Sequence, residues 1–460
     1  MEEKDFVIIG TGPAGISAAV TAAKSGVDVT LIGEDPRMGG QIFRQIIPPL
    51  YSQTHYVDTQ NEKIFNNLSE EKKKVHLQFL SKTLVWGIFD DKVLATDNKD
   101  HPLIKAKKLL ISEGAYEAPV AFPGWTLPGV ITLGGTQILL KSQGLIPRGR
   151  TLVAGTGPLL YYTASQLVKN GANVVGVLEA SSLFKWMNWT FRLIRAPKLL
   201  WKGIQYLTLL KKRRIPIYYN HVVAKAEGTE SLEKVIFTKD NNNWEPQEGT
   251  EKTLDVDTLC LNFGFIPSTI FTHMAGCEHE FDPTLRGWIP TLNNKLETSK
   301  EGIFVAGDCN GIGGVKKAFV EGQIAGTEIA LQLGQVSKPE THSFLSRLQK
   351  KNSRLNWYQK FLKDIYAFRP GLLKLLTPET FICRCEEVDF KTITNTLENG
   401  AWSLDQIKRL TRMGMGRCQG RFCFPTVLGI LSKYYSQKEL NQLDFSTRPP
   451  AKPLPLKELI

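Results

Sequence analysis

A glycine-rich turn, set between a β-branched run and a helical pattern, occurs at the start of this chain and again a third of the way along. That repetition restricts the fold more than any other feature. Asp5–Ile9 reads as a short buried strand, GTGPAG follows at 10–15, Ile16–Lys24 has helical spacing, and Val27–Ile32 reads as a strand ending before Glu34. This is a complete dinucleotide fingerprint: Gly10 permits the tight turn, Gly12 lets a pyrophosphate approach the backbone, and Gly15 lets helix and strand pack closely. Pro13 and Ala14 open the helix, whose unpaired N–H groups attract phosphate. Glu34 is placed to hydrogen-bond a ribose hydroxyl pair, and an acid there disfavours a 2′-phosphate. NAD or the ADP half of FAD therefore fits better than NADP. In the second copy Thr151–Ala154 is the strand, GTGP spans 155–158, and Val174–Leu178 leads to Glu179, with Leu160 at the third glycine position. Gly155, Gly157 and Glu179 are its candidate ligands. A working NAD site and a closed one both remain open.

Composition limits the setting. A chain of 460 residues suggests about three domains at roughly 150 residues each, and 42% hydrophobic with 22% charged residues indicates a packed globular protein. The net charge of +12 is local: residues 181–220 hold nine basic residues and no acid, residues 341–380 add +6, and the remainder is slightly acidic. No nucleic-acid recognition motif accompanies that charge, so nucleic-acid binding is not expected. The seven cysteines begin at Cys260, the N-terminus lacks a signal-peptide pattern, and no apolar window is long enough to span a membrane. A reducing, cytoplasmic setting is the expectation.

Four cysteines are set apart near the C-terminus: Cys383-Arg-Cys385, then Cys418-x4-Cys423 within GMGRCQGRFCFP. Two close thiolate pairs suit a structural zinc ion or a [2Fe–2S] cluster, although a CxC pair is unusual for zinc. Gly414, Gly416 and Gly420 let the backbone wrap such a site, and Arg384, Arg412, Arg417 and Arg421 would offset its negative charge. Cys260 and Cys277 read as core residues. None of the seven histidines has catalytic or metal-binding spacing, and no catalytic residue is identified.

A further segment, GIFVA at 302–306 followed by Gly307-Asp308 and a helix over about 315–331, completes the pattern. Here the chain resembles the two-dinucleotide-domain flavoproteins of the glutathione and thioredoxin reductase superfamily. The resemblance implies an α/β fold of two Rossmann-like domains, FAD in the first, and Asp308 on its ribityl chain. It extends the FAD contacts to Gly40, Gln41, Gly114, Gly307, Gly314 and Val315. Glu113 stands where that family has Thr. No CxxC or CxxxxC lies in either nucleotide domain, so disulfide reduction is excluded. The cysteine segment resembles the bacterioferritin-associated-ferredoxin-like [2Fe–2S] domain, with Phe390–Asn399 and Leu404–Leu410 as its helices.

Taken with GGQIFR (39–44), FPGWTLPG (122–129), GFIPST (264–269) and RPPAKPLPL (448–456), the whole chain resembles the larger subunit of opine oxidases, hydrogen cyanide synthase and dye-linked proline or hydroxyproline dehydrogenases. The implied layout is a discontinuous FAD domain (1–145 and 255–335) and a second nucleotide domain (146–254) with a basic aromatic insert (181–214). A basic helical linker (336–376), a helical [2Fe–2S] domain (377–434) and a tail (435–460) follow. The implied function is electron relay by FAD and [2Fe–2S] within a heteromeric amine or amino-acid dehydrogenase or oxidase. A smaller amino-acid-oxidase-like flavoprotein subunit would oxidise the substrate, and a small ferredoxin-like subunit is a further candidate partner. The alternatives are a stand-alone NAD(P)H-dependent reductase of a ferredoxin-type acceptor and a non-catalytic assembly subunit. The insert, with Trp186, Trp189, Phe191 and Trp201 among its cations and Pro197 breaking any long helix, suits subunit contact or a peripheral membrane surface.

Overall fold

The computed structural model describes residues 1–45, 66, 70–193, 196–401, 403–443 and 446–455. The Phe191 side chain and Arg195 of the insert lie outside them. Two parallel sheets dominate. In the first, β1 (Glu2–Ile9), β2 (Val29–Ile32), β3 (Gln78–Leu80), β4 (Val85–Phe89), β5 (Val93–Thr96) and β6 (Leu103–Ile111) run in the order β3-β2-β1-β6-β5-β4, and Ile303–Val305 pairs with β6. β3, β2, β1 and β6 are parallel, while β5 is antiparallel to both β4 and β6. Phe6–Ile9 are buried without alternation, as a strand covered on both faces requires.

Two helices cross one face of this sheet: α1 (Pro13–Lys24) and the helix Gly314–Gln332. Their close approach depends on Gly322 and Gly326. A Cβ at either would come within 2.2 Å of the Ala14 carbonyl oxygen or 2.6 Å of the Ala18 carbonyl oxygen. The next helix, Lys338–Ile365, begins with a capping box between Ser337 and Glu340 and lies along Gly314–Gln332 through Leu345 and Leu348. Its last turns bury Phe361, Leu362 and Ile365 against Trp189, and its exposed positions, Arg347, Lys350, Lys351, Arg354 and Lys360 among them, make the segment basic.

The second sheet has the order β10-β9-β8-β11-β7, with β7 (Val130–Thr132), β8 (Arg150–Gly155), β9 (Asn173–Glu179), β10 (Ile217–Tyr219) and β11 (Thr258–Asn262), all parallel. The glycine turn after β8 enters α2 (Pro158–Lys169). The basic insert forms α3 (Leu183–Leu193) and α4 (Pro197–Lys212), with the proline at the start of α4. A three-stranded antiparallel meander, His221–Glu227, Lys234–Lys239 and Lys252–Asp255, follows.

After Ile365 the chain leaves the helix and runs through a 3-10 turn (Pro370–Leu375) into the C-terminal module. A hairpin of Phe381–Cys383 with Val388–Asp389 is followed by α5 (Phe390–Glu398), α6 (Leu404–Thr411) and α7 (Phe424–Leu431). Both module helices read from the sequence fall within about a residue of the observed ones. The module shares one hydrophobic cluster with the second nucleotide domain, from Leu152 and Trp125 to Ile382 and Val427. It is therefore packed onto the body of the protein.

Candidate functional site

Among the described residues the first cleft is open. Gly10 has φ +103°, and a Cβ on Gly15 would stand 2.0 Å from the Gly10 carbonyl oxygen, so the turn and the α1–β1 approach both require glycine. Nothing among the described residues lies within 4 Å of where a Cβ on Gly12 or on Gly114 would project. No side chain among the described residues caps α1, which leaves its first amides free for phosphate. Gly40 folds back onto Gly12, Gln41 is exposed, and Gly39 donates its N–H to the Thr11 carbonyl at 2.8 Å. Glu34 is exposed and ion-paired with Lys452 of the C-terminal tail. That tail is pinned where Ala451, fully buried, donates to the Trp86 carbonyl at 2.7 Å.

At the other end of this cleft, Asp308 accepts the backbone N–H groups of Gly313 and Gly314 through one oxygen, each at 2.9 Å. Val315 packs toward Ile16, Val20 and Phe43. Behind the turn, Gly307 donates to Glu321 at 2.9 Å, and Glu321 pairs with Lys317 at 2.9 Å. Lys317 in turn donates to Asn352 and Asn356 of the long basic helix at 3.1 and 2.9 Å. Lys317 and Glu321 are buried, so each needs the other. Sequence reading missed this pair, because an i,i+4 Lys–Glu spacing is usual on exposed helices. The groups at the cleft, with the glycine turn and free helix amides as donors and Glu34 and Asp308 as acceptors, fit a flavin adenine dinucleotide.

Glu113 faces the crossing strands. It accepts from the Ser268 hydroxyl at 2.8 Å and from the Phe271 N–H at 3.3 Å. Burial pushes its carboxyl up, while Ser268 and the positive charge of Arg421 act in the opposite direction. Arg421 belongs to the cysteine loop. Gln419, Gly420, Arg421 and Phe424 face Tyr116, Ser268 and Trp288 across a cavity of about 40 Å³. The cysteine loop thus sits against the strands that cross between the two nucleotide domains, next to Gly114.

Within the module the four sulfurs form two pairs, each with one cysteine from each motif: Cys383 with Cys423, both buried, and Cys385 with Cys418, the former exposed. Amides of Gly414, Glu386 and Cys385 point at the Cys383 sulfur, and those of Gly420 and Phe422 at Cys418. Contact with Cys423 and the inward amides hold the Cys383 thiol below its ordinary range, and contact with Cys383 and burial push Cys423 up. A Cβ on Gly416 would come within 2.3 Å of the Cys385 Cβ, which is the closeness that wrapping demands. Among the described residues no three such side chains converge on a single-ion site. Two pairs of thiolates, ringed by amides, suit two irons. Arg412 pairs with Glu386 at 2.9 Å, and Arg384 reaches the Thr126 carbonyl.

The second cleft differs. A Cβ on Gly157, at φ +92°, would stand 2.4 Å from the Tyr366 ring, and the Leu159 N–H donates to the Tyr366 hydroxyl at 3.4 Å. Leu372, six residues on, is buried among Ala180, Val222, Trp244 and Phe263. Gly155 is held against the Asn262 carbonyl, and Leu160 fills the helix–sheet gap, fully buried. Glu179 is also fully buried and turned inward, accepting from the Ser181 N–H at 2.9 Å and the Gly157 N–H at 3.4 Å. Tyr366 was not legible beforehand: it reaches Leu159 from 207 residues away.

This inward acid has a consequence for pH. Burial pushes Glu179 up to about 7, and burial together with the Glu179 charge pushes the nearby Asp240 up to about 8. Both Asp240 oxygens are buried and have no hydrogen-bond partner among the described residues. The unfolded chain releases these protons near pH 4, whereas the folded chain holds them to pH 7–8, so stability falls as pH rises through that window. Asp240→Asn is therefore expected to raise the thermal midpoint at pH 8 relative to the parent, with the advantage shrinking toward pH 4. Melting curves across that range check this.

Residues 4–332 match the pyridine nucleotide-disulphide oxidoreductase family, and residues 381–433 match the BFD-like [2Fe-2S] binding domain. The matches imply FAD in the first fold and an iron–sulfur cluster in the module. The A-type subunit of an opine oxidase from Rhizobium meliloti is 34% identical over 99% of this chain and 87% of its own length. Hydrogen cyanide synthase subunit HcnB of Pseudomonas protegens is 32% identical over 97% of each. Among solved structures, L-proline dehydrogenase from P. horikoshii shares the fold at a TM-score of 0.68 with 22% identity, covering 100% of this chain and 79% of that one. The chain belongs to the family of the A-type opine oxidase subunits and the HcnB subunits of hydrogen cyanide synthase, an FAD-dependent oxidoreductase with a [2Fe–2S] module on the pyridine nucleotide-disulphide oxidoreductase fold.

Proposed function

We propose that this chain is the electron-relay subunit of a heteromeric amine or amino-acid dehydrogenase or oxidase. Its partner would be a smaller amino-acid-oxidase-like subunit that takes the hydride from an opine, imino acid or glycine-type substrate. The observation that carries the reading is the contrast between the two clefts. The first is open beside the cysteine loop, while the second is filled by Tyr366 and Leu372 of the same chain. A stand-alone NAD(P)H reductase would need the second.

When bound, the flavin exchanges electron pairs and the cluster single electrons. The chain's own part is positional. The turn at Gly10, Gly12 and Gly15, with Pro13 and the amides of Ala14 and Gly15 at the head of α1, holds a pyrophosphate. Glu34 meets a ribose once it parts from Lys452, and Asp308, fixed by Gly313 and Gly314, presents its second oxygen to a hydroxyl. Gly40, Gln41, Gly114, Gly307 and Val315 complete the lining. Cys383, Cys385, Cys418 and Cys423 hold the irons. None of the seven cysteines forms a disulfide, which suits a reducing cytoplasm.

A complex purified through a tag on this chain tests the reading. Opines, proline or glycine should produce the EPR signal of the reduced cluster in the complex and none in the isolated chain. Reduction of the isolated chain by any of these amines, or no reduction in the complex, overturns it.

A further inference from the structure

Arg286 is a buried cation for which this chain supplies no counter-charge. It sits in the turn of the hairpin formed by His279–Asp282 and Gly287–Pro290, is 4% exposed, and has φ +54°. Its Nη1 has no hydrogen-bond partner among the described residues. A guanidinium keeps its charge even in an apolar setting, and removing it from water is costly unless opposite charge or hydrogen bonds replace the solvent. The guanidinium carbon lies 4.0 Å from the centre of the Phe368 ring. That contact covers one face of the cation and leaves its full charge uncompensated.

The carboxylates that could serve are committed elsewhere. Asp282, four residues earlier, pairs with Lys363 of the long basic helix and accepts the amides of Thr284 and Leu285. Glu113 accepts from Ser268 and Phe271, and the guanidinium acting on it is that of Arg421. Among the described residues, the titratable group acting on Arg286 is Tyr116, whose hydroxyl burial keeps protonated.

Arg286 and Tyr116 line the cavity of about 40 Å³ that is bounded on its far side by Gln419, Gly420 and Arg421 of the cysteine loop. Two guanidinium groups thus border one small space, and no acid among the described residues lines it. Like charges across a junction push it apart. Water would fill the space and accept hydrogen bonds, but it brings no negative charge.

We infer that this cavity is a binding site for one small anion, a halide or short carboxylate, held between Arg286 and Arg421 with the Tyr116 hydroxyl as a further donor. Arg286 and Tyr116 belong to the body of the protein and Arg421 to the cysteine module. The anion therefore bridges the two and turns a repulsive contact into an attractive one.

The test melts the chain with its cofactors in sodium chloride and in sodium gluconate at equal ionic strength. Chloride should raise the thermal midpoint saturably, by roughly 2–4 °C over gluconate, whose anion is too large for the cavity. Arg286→Met keeps a buried stem and removes the charge, so its midpoint should be the same in both salts, with flavin and iron content unchanged. Bromide-soaked crystals of the parent give a reading that needs no variant: an anomalous peak is expected beside Arg286, lost when chloride competes. Equal midpoints of the parent in the two salts overturn the proposal, as does a chloride dependence retained in Arg286→Met. A bromide peak without any difference between the salts would be an adventitious ion only. No peak at all would mean that water fills the cavity, and either result overturns the proposal too.

Discussion

Cys423→Ser is expected to abolish the iron–sulfur centre, with iron falling from two per chain toward zero and flavin content retained. Cys423 and Cys383 are 0 and 1% exposed and lie in the module's core with Ile382, Leu404, Met413 and Val427. A serine hydroxyl there is a poor iron ligand, and it also leaves a polar group in an apolar site with one partner gone. Because ligation and core packing involve the same residue, the module loses both. Limited proteolysis should then cut within residues 377–434 at least roughly tenfold faster than in the parent, while the two nucleotide domains resist. Cys385→Ser is the control, because that position is exposed: iron should become labile without the module opening. A buried-pair variant that keeps its full iron content would show that the inner cysteines are core residues and not ligands. Iron analysis, EPR and the proteolysis rate together make the check.

The order of these effects explains what was readable in the sequence and what was not. The first cleft is built from Gly10, Gly12, Gly15 and Glu34, all within 25 positions, and each constraint on them is local: a turn, a close approach, a strand end. Periodicity and residue type suffice for such a site. The break at Pro197 and the module helices were legible for the same reason. The spacing set the four cysteines apart, but their pairing across motifs, Cys383 with Cys423, is a property of the folded module. Glu179 shows the limit most clearly. It stands at the strand end where an acid would meet a ribose, yet Ser181 and Gly157 turn it inward. Nothing in the local pattern distinguishes an acid that points outward from one that points inward. The residue that closes the cleft arrives from a basic linker, and only the tertiary fold brings it there. The tail behaves alike: Lys452 reaches Glu34 across 418 positions.

NADH is expected to leave the flavin of the isolated chain oxidised, and its binding should be weaker than about 1 mM, less favourable than about −4 kcal/mol. Three independent features lead to this. The Tyr366 ring lies where a pyrophosphate would approach Gly157, so entry would first have to expel a buried aromatic side chain. The Gly157 N–H, which would face the phosphates, is turned toward Glu179, and the Leu159 N–H toward the Tyr366 hydroxyl. Leu372 and Trp244 fill the space beyond β9 with apolar contacts. The ring and the hydroxyl can be separated. Tyr366→Phe removes one hydrogen bond and should cost about 1 kcal/mol, leaving the flavin inert to NADH. Tyr366→Ala vacates the ring's volume, which for a buried aromatic costs roughly 3–5 kcal/mol. It should also loosen the cysteine module, because Phe368 and Leu373 of the same segment pack against α7. Even then NADH should bind poorly, since Glu179 remains turned inward. Stopped-flow bleaching of the flavin under anaerobic conditions measures all three proteins. Saturable bleaching of the parent at micromolar NADH would show that the Tyr366 segment swings out of the cleft, and the chain would then be an NADH-dependent reductase in its own right.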